Sequence, residues 1–227
     1  MKKKGIKKYL PTILIVAAIV LVIGFVVYAM TRSDSASTNT ATQPATSEDI
    51  AAITQGHTIG NANAKVVVTE FGDYQCPVCG TWHPYLLNTF LPQYQDKVAF
   101  VFKNFPLTQV HKNAQISAQA AEAAGLQGKF WEMHNKLYET QSEWSEQSDP
   151  SGKFADYAGQ IGINVNQFKS DLNSQKVKDI VQKDAELALK LNLQGTPTFF
   201  INGTQVTIKT GFDDLKNAVD QALAQTK

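Results

Sequence analysis

Two β-rich runs, KVVVTEF (Lys65–Phe71) and VAFVFKNF (Val98–Phe105), enclose a stretch in which large apolar residues recur at helical spacing. β-Branched runs bounded by Asn and Gly read as buried strands. Trp82, Tyr85, Leu86, Thr89 and Phe90 mark the helix between them, and Pro84 inside it is expected to kink it. A strand, a helix and a second strand joined by short links close as a right-handed βαβ unit, which makes the strands parallel neighbours. Much later, TPTFFINGTQVTI returns to a period of two around Asn202-Gly203, a pair suited to a type I′ hairpin turn. Asp213 is then expected to cap a last helix with Leu215, Val219 and Leu223 on one face.

Between these parts lies a helical block, about residues 113–192. NAQISAQAAEAAG has Asn113 as its cap and Gly125 as its stop. Phe130, Met133, Leu137 and Tyr138 mark another helix, and Phe154, Tyr157 and Ile161 another. Val177, Ile180, Val181, Ala188 and Leu191 mark a longer one. These stripes read as core. The order βαβ, helices, ββα predicts an α/β fold with a mixed sheet flanked by helices.

The formal charge of +1 gives no global argument for nucleic acid as a partner. It conceals an asymmetry, because Lys2, Lys3, Lys4, Lys7 and Lys8 precede an uncharged apolar run from Tyr9 to Met30. That run matches the ~20 residues that cross a bilayer as a helix. The lysines are expected on the cytoplasmic side and everything after Met30 on the other. A cleaved signal peptide is the alternative, with VYA at 27–29 as a weak site, but the run exceeds the roughly 7–15 residues of a signal core. From Thr31 the chain turns rich in Ser, Thr, Ala, Asn and Gln without aromatics, a composition that cannot nucleate a core. The expected organisation is a basic cytoplasmic segment (1–8), a transmembrane anchor (9–30), a flexible tether (31–56) and one folded domain (57–227). A short helix around Asp49–Ile53 is the alternative for the tether's end.

The chain has two cysteines, Cys76 and Cys79, in CPVC. A tetrahedral zinc site needs about four ligands, and His83 is the only nearby third candidate. It reads instead as a solvent-side or packing residue. A structural disulfide across so short a loop removes little chain entropy. The redox reading is favoured by position. Cys76 falls where strand and loop give way to the helix, and Pro77 suits the first helical turn. A sulfur there faces free backbone N–H groups and the positive end of the helix dipole, both of which favour thiolate. Cys76 is therefore expected to be the exposed nucleophile, and Cys79 the more buried partner that resolves a mixed disulfide. Disulfides form and persist outside the cytoplasm, which agrees with the expected topology.

The stretches VVVTEFGDYQCPVCGTWHP, VAFVFKNFPL, HKNAQISAQAAEAAGLQGKFWEMHNKLYE and LNLQGTPTFFING resemble the DsbA-type thioredoxin-fold oxidoreductases, in the membrane-anchored branch of BdbD-like proteins. The resemblance implies roles. Pro197 would be the cis-proline beside the disulfide. Thr196 before it would offer backbone to an extended substrate by strand addition. Glu70 matches the buried carboxylate beneath the pair, placed to take the proton of Cys79; a strand-end salt bridge is its alternative, with Lys103 as the suggested partner. One departure concerns the motif itself. The most oxidising relatives carry His where this chain has Val78, which offers no donor. Pro77 and Val78 thus tune the pair, and Cys76 is expected to titrate below a free thiol but above the ~3.5 of DsbA.

The expected function is a membrane-tethered, extracytoplasmic thiol:disulfide oxidoreductase that needs no cofactor or metal and oxidises exported proteins. The resemblance implies a membrane quinone-linked, DsbB-like oxidase as its re-oxidising partner, and a monomer. The alternatives are the same chemistry run as a reductase or isomerase, and a metal-handling thioredoxin-like binding protein.

Overall fold

A computed structural model describes residues 46–226. The basic segment, the apolar run and the tether up to residue 45 lie outside these residues. Among the described residues, no helix is long and apolar enough to cross a membrane.

Five strands form one sheet in the order β1-β3-β2-β4-β5. They are β1 (His57–Gly60), β2 (Val66–Gly72), β3 (Val98–Asn104), β4 (Thr198–Ile201) and β5 (Thr204–Gln205). β2 and β3 run parallel, as the βαβ reading requires, and the remaining pairs are antiparallel. The β4–β5 turn has positive φ at both Asn202 (49°) and Gly203 (81°), the type I′ signature. The second strand of that hairpin is shorter than its alternating pattern suggests. β1 has no counterpart in the sequence reading; HTIG is too short and too polar to stand out.

α2 (Pro77–Tyr85) follows β2, and its α-helical register gives way just after Pro84 to one π turn, Leu86–Phe90, before α3 (Leu91–Tyr94). A proline cannot donate its share of the helical ladder, which is the usual local cause of such a break. The helical block comprises α4 (Ala114–Gly125), α5 (Phe130–Glu139), α6 (Gln141–Trp144), α7 (Ser151–Gln160), α8 (Val165–Leu172) and α9 (Gln175–Lys190). α10 (Phe212–Gln225) closes the fold. Its start differs from expectation. Asp214, and not Asp213, accepts the N–H groups of Lys209, Thr210 and Gly211.

The expected tether also needs correction at its end, because Ser47–Thr54 form a helix, α1. Thr46 and Asp49 make a reciprocal capping box, and Asp49 Oδ1 pairs with Lys190 Nζ at 2.6 Å. Ile53 is fully buried with Phe71, Phe105, Ala188, Leu193 and Phe200, and its carbonyl accepts from Thr69 Oγ1. The folded unit therefore begins before residue 57.

Alternation along β2 sorts the two faces of the sheet. Val66 and Val68 pack with Trp82, Leu86, Phe90, Leu215 and Val219 of α2, the π turn and α10. Thr69 and Phe71 face α1 and α9. A third cluster fills the helical block around Trp144, Phe154 and Phe168 and extends to Cys76 and Cys79.

Candidate active site

The site forms where β2 ends. In register with β3, Glu70 stands opposite Phe102, and Lys103 stands opposite Phe71. Neighbours in register share a face, so Lys103 points away from Glu70 and cannot pair with it. Lys103 Nζ instead meets Asp184 Oδ1 of α9 at 2.9 Å. Glu70 is 2% exposed and forms no salt bridge among the described residues. Burial, followed by the nearby charge of Cys76, raises its carboxyl to about 8.

After Gly72 the chain turns sharply. A Cβ on Gly72 would come within 2.5 Å of the Phe102 ring, so the turn admits only glycine at this joint. Asp73 is buried. Its Oδ1 accepts from Gln75 N at 2.8 Å, and its Oδ2 accepts from Leu107 N at 3.0 Å and contacts His111 Nδ1 at 2.7 Å. Gln75 accepts from Asn113 N and donates to Ser145 O. Asn113 itself does not cap α4 with its side chain; its amide donates to the carbonyls of Trp144, Ser145 and Gln147. The helical block thus grips the loop that carries the cysteines.

Cys76 is the N-cap of α2, with extended backbone (φ −66°, ψ 121°), and Pro77 takes the first helical turn. Both cysteines are free thiols and both are buried, 5% and 1% exposed, so Cys76 is not the exposed partner expected from the sequence but only slightly the more accessible of the two, because the strap at Thr196 and Pro197 and the helical block close over it. Val78 is 53% exposed beside them. The Cys76 thiol donates to the carbonyl of Thr196 at 3.4 Å, and the peptide bond from Thr196 to Pro197 is cis. The strand-to-helix joint and the segment before β4, far apart in sequence, therefore meet at one sulfur.

The two thiols differ in acidity. The neighbouring Cys79 thiol above all, then the Thr196 side chain and the backbone N–H groups of Cys79 and Val78 at the helix start, favour the thiolate and lower Cys76 to about 5 against the effect of burial. Thr196 Oγ1 is buried and makes no hydrogen bond among the described residues, so its hydroxyl is free to serve the thiolate once the thiol proton has left. Cys79 is pushed well above its ordinary value, first by burial, then by its bond to Cys76 and the charge of Glu70. One sulfur is built to be a thiolate and the other to keep its proton.

His83, one turn beyond Cys79, is a packing residue. Its ring stacks on Tyr138 with centroids 5.0 Å apart, and burial lowers it to about 4. Asp73, Gln75, Tyr138 and Gln141 belong to the site's surroundings and were not legible in the sequence. The polar residues of the CPVC loop were the one available signal, since a loop that must hold its shape needs partners for them.

A parallel βαβ unit, a β-hairpin with an antiparallel return and a helix capped by CxxC beside a Pro-containing strap define a thioredoxin-type dithiol protein. A thioredoxin family model matches residues 53–221. The chain is 32% identical over 212 residues to the probable disulfide bond formation protein D of Bacillus anthracis, covering 91% of this chain and 92% of that one. The fold is similar to that of oxidised BdbD from Bacillus subtilis, with a TM-score of 0.66 and 28% identity over 74% of this chain and 92% of that one. It is also similar to a thioredoxin-like oxidoreductase from Silicibacter pomeroyi, with a TM-score of 0.65 and 26% identity over 78% and 98%. The chain belongs to the thioredoxin family, in its DsbA-like, BdbD-type group of thiol:disulfide oxidoreductases.

Proposed function

We propose that the protein oxidises thiols of exported polypeptides, with Cys76 as the exchanging sulfur and Cys79 as the resolving one. The carrying observation is the asymmetry of the pair at one helix N-terminus. A substrate thiolate attacks Sγ of Cys76 in the oxidised pair. The bond between Cys76 and Cys79 breaks, one forms between the substrate and Cys76, and Cys79 leaves as a thiolate. Glu70, at about 8, holds its proton at neutral pH and gives it to Cys79. A second substrate thiolate then attacks the substrate sulfur of the mixed disulfide. Cys76 leaves as the stabilised thiolate. The substrate has lost two electrons and the enzyme has gained them. In re-oxidation Glu70 works the other way, taking the proton as Cys79 becomes the attacking thiolate.

Thr196 and Pro197 form the strap against which an extended substrate chain lies, with the Thr196 backbone adding to it as a strand would. The uncharged apolar run after the lysine cluster supports tethering through residues 9–30, with the domain on the extracytoplasmic face and a quinone-linked membrane oxidase as the source of oxidising equivalents. Equilibration with a glutathione buffer tests the direction of exchange. A potential between about −120 and −200 mV is expected for an oxidase, and one near ~−270 mV would assign the protein as a reductase instead.

A further inference from the structure

Gln141, the first residue of α6, reaches across the fold to the cysteine loop. Its Nε2 donates to the carbonyl of Tyr74 at 2.7 Å and to the carbonyl of Cys76 itself at 3.0 Å. Its Oε1 lies 2.8 Å from where a Cβ on Gly80 would stand, so the amide lies close over the glycine that follows Cys79. The Cys76 carbonyl also accepts the N–H of Gly80 at 3.1 Å, the first intrahelical bond of α2. Two donors therefore converge on the carbonyl of the exchanging cysteine, one from its own helix and one from the inserted block.

We infer that Gln141 is a positioning residue for disulfide exchange, fixing the backbone of Cys76 so that its sulfur stays over the N-terminus of α2. The inference rests on the role proposed for Cys76. Two physical effects follow from the geometry. Pinning the carbonyls at 74 and 76 holds Cys76 in its extended N-cap conformation, which keeps its sulfur at the helix start, where the backbone N–H groups of Val78 and Cys79 favour the thiolate. The amide also places the positive end of its N–H dipole one peptide unit from that sulfur, where it favours the thiolate. A side chain with no donor loses both effects. A glutamate in its place turns two carbonyl–donor contacts into two carbonyl–carboxylate contacts and adds negative charge.

The test is a thiolate titration by ultraviolet absorbance, paired with glutathione equilibration, on the whole chain. Gln141→Met keeps the length of the side chain and is expected to raise the Cys76 midpoint by about one pH unit, with a roughly tenfold shift of the glutathione equilibrium toward disulfide in the enzyme. Gln141→Glu is expected to move both quantities further in the same direction, and it serves as the second variant if the methionine protein does not fold. Gln119→Met is the comparison for simple destabilisation, because the Gln119 amide bonds Leu172 O inside the helical block. It is expected to lower the melting temperature and leave the midpoint in place. A folded Gln141→Met protein with an unmoved midpoint overturns the inference, and so does an equal shift in Gln119→Met. If instead the unmodified protein titrates as an ordinary thiol, the exchange role of Cys76 fails first.

Discussion

At Glu70 and Cys76 two titrations with opposite consequences share one site. The Glu70 carboxyl is raised from 4.5 to about 8, so the folded chain keeps a proton that the unfolded chain has released. Its contribution to stability is full below 4.5 and is lost as pH rises through 8. The Cys76 thiol is lowered from 9.0 to about 5, so its contribution is present above 9 and is lost as pH falls through 5. Between these limits the two slopes oppose each other in the dithiol protein. Glu70→Gln removes one of them. Its stability is expected to gain on the parent from pH 4.5 to 8, by an amount that about 1.4 kcal/mol per decade of proton affinity caps at roughly 5 kcal/mol. Urea unfolding of both reduced proteins across that range checks it; parallel profiles would contradict the assignment of a buried, protonated Glu70. The side chain of Val78 is largely exposed and carries no donor, so among the parts of Val78 only its backbone N–H favours the thiolate.

Elements with a strong period were readable from sequence, and those defined by tertiary contact were not. β2, β3, α4, α9 and the Asn202-Gly203 hairpin follow directly from apolar period and turn chemistry. The same local patterns delivered Cys76 to a helix N-terminus. β1 and the grip of Gln75, Asn113 and Gln141 on the loop were illegible because each depends on partners many residues away. Lys103 is the instructive case: it was the suggested salt-bridge partner of Glu70, but strand alternation sends it to the opposite face, where it meets Asp184. Composition likewise favoured a tether over the short helix offered as its alternative at Asp49–Ile53, because the polar residues of α1 resemble a linker although Ile53 is buried. Ile53→Ala is expected to cost about 2 to 4 kcal/mol, the usual price of emptying a core site of that size. Chemical denaturation measures it, and a cost below about 0.5 kcal/mol would return the segment to the tether.

Across the molecule, a buried polar chain ties the sheet to the helical block. His57 Nε2 meets Glu122 Oε2 at 2.8 Å, Glu122 Oε1 accepts from Asn104 Nδ2 at 2.7 Å, and Asn104 N donates to Asp184 Oδ2 at 3.1 Å. Asn104 is thus the link between β1, β3, α4 and α9. Asn104→Leu takes the donor from Oε1 of the buried Glu122 carboxylate, leaving it only His57, and is expected to cost about 2 to 3 kcal/mol. Hydrogen exchange locates the loss: amides of β3 and α4 are expected to lose protection together, and a loss confined to β3 would mean that the block and the sheet are stabilised separately.

The short outer strands have a consequence of their own. β1 spans four residues and ends at Gly60, whose φ is 89°, and β5 has only two. If, as proposed, its clients are exported chains not yet folded, the enzyme works among unpaired backbone. A long bare border would recruit them indiscriminately and seed aggregates. With both margins clipped, the strap proposed at Thr196 and Pro197 would be the main place beside the reactive sulfur for a client to pair, so that capture and chemistry would coincide and release would follow once the disulfide has passed on.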